Sequence, residues 1–98
     1  MDLPSFKKSL DRDAPPVGLG RALDALWHEA KGDWDQAHRL AQGQKDAGGA
    51  WVHAYLHRVE GDLPNAGHWY RRADRPPSSA PVKQEWDEIA GALLDGRR

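Results

Sequence analysis

The chain contains no cysteine. That excludes disulfides, thiolate metal sites and a cysteine nucleophile together. It also has no apolar run approaching the roughly 20 residues that a membrane span needs. The opening residues, MDLPSFKKSLDRDAPP, lack the apolar stretch of a signal peptide. A cytoplasmic setting with no membrane partner is the expectation. An excess of one charge is missing too: 14 Lys+Arg face 15 Asp+Glu, a formal net charge of −1. No overall field therefore draws in nucleic acid or an anionic membrane. There is no glycine-rich nucleotide loop, no GxSxG and no HExxH. Ser5, Ser9, Ser78 and Ser79 stand in tail or linker without an adjacent base.

What remains is a chain of 98 residues, enough for one domain and one core. Mean hydropathy is −0.84, as expected of a soluble chain. Its five tryptophans are the main source of apolar bulk. Each can bury roughly 150–250 Å². The stretch around which the rest is organised is AWVHAYLHRVEGD, Ala50 to Asp62. It is apolar nearly all round. A helix of that kind is surrounded by other helices.

The other segments read as helices with one apolar face. In Gly18 to Lys31, Leu19, Leu23, Leu26, Trp27 and Ala30 recur at helical steps. Gly32 is placed to end that helix in the left-handed region and Asp33 to cap the next. Trp34, Ala37, Leu40 and Ala41 give the second helix its inner face. A turn is expected around Gln44 to Gly49. Gly61 and Asp62 repeat the glycine–aspartate punctuation, and Pro64 is tolerated in a first turn. Leu63, Ala66, Trp69, Tyr70 and Ala73 then face inward, with Gly67 allowing close approach of a neighbour. Arg75 to Pro81 cannot continue a helix. Pro81 opens a last helix, capped by Ser79 or Ala80, with a stripe of Val82, Trp86, Ile89, Ala90, Leu93 and Leu94. Residues 1–17 form an arm, with Phe6 and Leu10 able to anchor a helical turn or two between prolines.

A shift of 29 residues superimposes the two helix pairs: Ala25 on Ala54, His28 on His57, Gly32 on Gly61, Asp33 on Asp62, Ala37 on Ala66. A period of this size points to stacked supersecondary units. Gly32-Asp33-Trp34-Asp35-Gln36-Ala37 and Gly61-Asp62-Leu63-Pro64-Asn65-Ala66 resemble the turn of a tetratricopeptide or Sel1-like repeat. Trp69-Tyr70-Arg71-Arg72-Ala73 is similar to the end of such a repeat's second helix. The offset is shorter than the tetratricopeptide period of about 34 residues. Asp24 and His53 also stand where that family usually has leucine. The chain further resembles short bacterial proteins carrying a WVHAYLHRVEGD-like run, a likeness that implies no activity.

The resemblance implies an all-α fold: two stacked antiparallel helix pairs in a tetratricopeptide-like right-handed superhelix, plus a C-terminal capping helix. Repeat 1 covers about 18–47, repeat 2 about 48–76 and the capping helix about 81–95, within a single domain of residues 18–98. It also implies an adaptor that takes a protein or peptide in a groove between the first helices. Arg21, Asp24, His28, His53 and His57 would line that groove. A homodimer filling its own groove is a further expectation.

Asp24 and His28, like His53 and His57, are spaced i, i+4, which puts each pair on one side of its helix. If the first helices lie side by side, these four residues converge. Three imidazoles and a carboxylate suit zinc or another divalent metal, with Glu60 as a further ligand or second partner. The alternative to the adaptor is thus a metal-binding protein, or a metal-dependent hydrolase. Arg71, Arg72 and Arg75 beside Trp69 and Tyr70 form a basic aromatic end. Such cations more often complement a helix C-terminus than grip nucleic acid.

Overall fold

The computed structural model describes residues 1–96; Arg97 and Arg98 lie outside them. The described residues form six α-helices and a 3-10 turn, with no strand among them. In chain order these are α1 (Leu3–Lys8), the 3-10 turn Ser9–Asp11, α2 (Arg21–Ala30), α3 (Trp34–Gln42), α4 (Ala47–Glu60), α5 (Leu63–Arg72) and α6 (Val82–Asp95). Helices α2 and α3 make one hairpin and α4 and α5 another.

The two hairpins turn in the same way. Gly32 and Gly61 both sit at φ 90°, a conformation that costs glycine little. The N–H of Asp33 donates to the His28 carbonyl and that of Asp62 to the His57 carbonyl, each at 2.9 Å. Each aspartate then caps the next helix: Asp33 accepts from the Gln36 N–H at 3.1 Å, Asp62 from the Asn65 N–H at 3.2 Å. The pattern recurs residue for residue at the 29-residue offset. Helix α5 ends in the same fashion, with Asp74 at φ 58° in the place of the glycine.

Helix α4 is the centre. It packs against α2, α3, α5 and α6, and Val52, Ala54 and Leu56 are fully buried. It begins earlier than the glycines suggest. Gly48 and Gly49 lie inside its first turn, and Asp46 caps it by accepting from the Gly49 N–H at 2.9 Å. Gly49 is needed for contact, since a Cβ there would stand 1.9 Å from the Gln44 carbonyl oxygen. Gly67 is different. A Cβ there would meet only Arg71 Nη1 at 3.7 Å, so no helix approaches it closely.

Helix α6 packs against both α2 and α4. The indole of Trp86 donates to the Leu26 carbonyl at 3.0 Å. Glu85, 1% exposed, accepts from Arg58 at 2.8 Å, from the Tyr70 hydroxyl at 2.7 Å and from the Trp51 indole at 3.2 Å. Arg58 also donates to the Ala80 carbonyl, so the proline linker is tied to the same ion pair. Pro81, rather than Ser79 or Ala80, occupies the N-cap position of α6. The N-terminal segment is built into the body through Phe6, which is fully buried and stacks on Trp86 with ring centroids 5.6 Å apart.

Candidate metal centre

The central helix carries its two histidines on the side that faces α3 and α5. His53 is 3% exposed and His57 6%. Burying polar rings there requires partners, and the neighbours supply aromatic ones. His53 stacks on Trp69 of α5, centroids 3.8 Å apart. From α3, His38 stacks on Trp34 at 4.8 Å and meets His53 and His57 edge-on at 4.7 and 5.2 Å. Trp34 is itself fixed by donating its indole N–H to the Leu56 carbonyl at 2.8 Å.

The result is a cluster of three imidazoles. Nε2 of His38 and Nε2 of His53 are 3.0 Å apart. One ring nitrogen from each of His38, His53 and His57 lies within 4.8 Å of the others. Nδ1 of His57 is 2.8 Å from Glu60 Oε2, and its Nε2 is 3.3 Å from Asn65 Nδ2. A carboxylate accepts, so the Glu60 contact makes Nδ1 a donor and leaves Nε2 as the ring nitrogen that can face the cluster.

Burial and the neighbouring imidazoles lower the pKa of His53 to about 4. His38 is lowered too, by burial first and by His57 second. Both rings are therefore neutral near pH 7, the state in which imidazole coordinates a metal. A second set of donors, His57, Glu60 and Asp62, shares the His57 end of the cluster.

The sequence pointed to His53, His57 and Glu60, and the structure brings these together. Asp24 and His28 are not part of the cluster. Asp24 is half-buried on α2, and His28 stands edge-on to Trp27 at 5.1 Å. Arg21 lies over Gly43 at the end of α3. The expected convergence fails because the histidine side of α4 turns to α3 and α5, not to α2. His38 takes the place that His28 was expected to fill. His68 is exposed and edge-on to Trp69 at 5.3 Å. At the basic end, Arg72 lies 5.2 Å over Trp69 and Arg75 3.4 Å over Trp51, so both guanidiniums are engaged with rings of the chain itself.

No family model, curated protein or solved structure matches the chain.

Proposed function

We propose that this protein binds a divalent transition metal through His38, His53 and His57, with Glu60 orienting His57. The observation that carries the reading is the convergence of three ring nitrogens from α3 and α4, two of them 3.0 Å apart. Nitrogens bound to one tetrahedral zinc at about 2.0–2.1 Å stand roughly 3.3 Å from each other. Coordination through His57 Nε2 would replace that atom's contact to Asn65. The Glu60–His57 pair is the carboxylate–histidine arrangement that raises ligand basicity and fixes ring orientation in metal sites. An all-imidazole donor set suits zinc, copper or nickel better than magnesium or calcium. Three protein ligands leave one position for water or a small ligand.

The two hairpins are read here as a duplicated, tetratricopeptide-like unit, a reading supported by the recurrence of their turns at the 29-residue offset. A peptide-binding role of the kind that likeness implies would need the face between α2 and α4. Helix α6 packs against both, which favours the metal reading over the adaptor.

Calorimetric titration of chelator-treated protein with zinc tests the proposal. One equivalent should bind, and His38→Ala and His53→Ala should each lose most of the affinity. Binding unchanged in both variants, or no binding in the parent protein, would leave the three rings as an aromatic packing cluster.

A further inference from the structure

A cavity of about 530 Å³ opens where α1, α2, α4 and α6 meet, away from the histidines. Small-molecule sites typically span roughly 300–1,000 Å³, with apolar walls and a few convergent polar groups. Leu10, Ala30, Val82 and Trp86 supply apolar wall here. Trp86 is held in place by its bond to the Leu26 carbonyl and its stack on Phe6.

Two polar groups meet within this lining. Tyr55, 2% exposed, donates its hydroxyl to Glu29 Oε1 at 3.1 Å. Glu29 is half-buried, and burial raises its carboxyl above the usual range, with the Tyr55 bond acting the other way. Among the described residues no cation forms an ion pair with Glu29. Lys7, at the rim, is bridged to Asp87 at 3.2 Å. Lys83, also lining the cavity, is exposed. The polar centre of the cavity is therefore an acceptor that lacks a positive partner.

We propose that this cavity binds a small monoamine with an apolar body, its ammonium on Glu29 and its body along Leu10, Val82 and Trp86. An ammonium has three donors and no acceptor, and Glu29 keeps lone pairs that Tyr55 does not use. A charge-assisted bond of this kind is stronger than a neutral one, so the charged ligand is preferred over its alcohol. Lys83, exposed in the same lining, opposes a second positive charge on the ligand, which favours monoamines over diamines.

The test is an NMR titration in the presence of chelator, so that it does not depend on the histidine site. The probes are 2-phenylethylamine and 2-phenylethanol, followed at the Trp86 indole. The amine should give a saturable shift and bind at least tenfold tighter than the alcohol. Glu29→Gln, which keeps an oxygen for Tyr55, should abolish that preference while the far-UV circular dichroism stays unchanged. Ala30→Leu, which narrows the cavity from an exposed helix position, should weaken both probes. Equal binding of the two probes, no saturable shift at Trp86, or a preference that survives Glu29→Gln would overturn the proposal. Should Glu29→Gln fail to fold, undiminished amine binding in Ala30→Leu would overturn it equally.

Discussion

His38 and His53 face each other across 3.0 Å, Nε2 to Nε2, from two different helices. As neutral rings they share one proton between two nitrogens. As ligands of the proposed metal they would turn two lone pairs towards one ion. The same pair of rings packs the metal-free protein and would coordinate in a loaded one.

Glu60 is the half-exposed member of the site, 40% exposed at its side chain and 2.8 Å from His57. Removing such an outer partner typically costs about 10–100-fold in metal affinity. Glu60→Gln should therefore weaken zinc binding by about tenfold and leave the fold intact, as calorimetry and circular dichroism would record. An unchanged affinity would mean that His57 does not bind through the ring that Glu60 orients.

The metal-free protein should lose stability in acid. The folded pKa of His53 is about 4, below its ordinary value of 6.5, so between these pH values the unfolded chain binds a proton that the folded chain does not. The stabilising effect of the neutral ring is complete above pH 6.5 and falls away as pH drops towards 4. Its full size is about 3 kcal/mol. Denaturant melts of His53→Gln against the parent should show a flatter profile across that window. Parallel profiles would contradict the assignment.

Glu85 anchors α6 through Arg58, Tyr70 and Trp51. Removing one member of a buried ion pair leaves the other uncompensated and typically costs about 3–5 kcal/mol. Glu85→Ala should destabilise by about that amount in urea. A loss under about 1 kcal/mol would show that water or rearrangement satisfies Arg58.

Two backbone positions invite stabilisation. Asp74 holds φ 58°, where glycine fits without strain, and Asp74→Gly should gain about 0.5–1 kcal/mol. A Cβ at Gly91 within α6 meets nothing within 4 Å, so Gly91→Ala should gain up to about 1 kcal/mol. Thermal melts of the two single variants check both, and an unchanged or lower midpoint in either would contradict the corresponding expectation.

The helices were legible because their punctuation is local. Gly32-Asp33 and Gly61-Asp62 act within one turn, and the structure shows both glycines left-handed and both aspartates capping. Gly48 and Gly49 mislead because they lie within the first turn of α4 and not in a turn before it; Gly49 is glycine to leave room for the Gln44 carbonyl. Three of the four residues are readable: His53 and His57 from their i, i+4 spacing, and Glu60 three residues further on. The fourth is an imidazole that the analogy between the repeats places on α2 and the structure places on α3. Spacing within a helix says which residues share a face, but not which neighbour that face meets. His38 did carry a signal, standing four residues after Trp34 on the inner side of α3. The ion pair of Glu85 was invisible, since its partners lie 15, 27 and 34 residues away.

The most direct measurement is a long-range proton–nitrogen NMR spectrum of the five imidazoles, taken before and after one equivalent of zinc. His38, His53 and His57 should shift together to metal-bound values while His28 and His68 stay where they were. Movement of His28 with the others, or no movement at all, would contradict the three-histidine metal site.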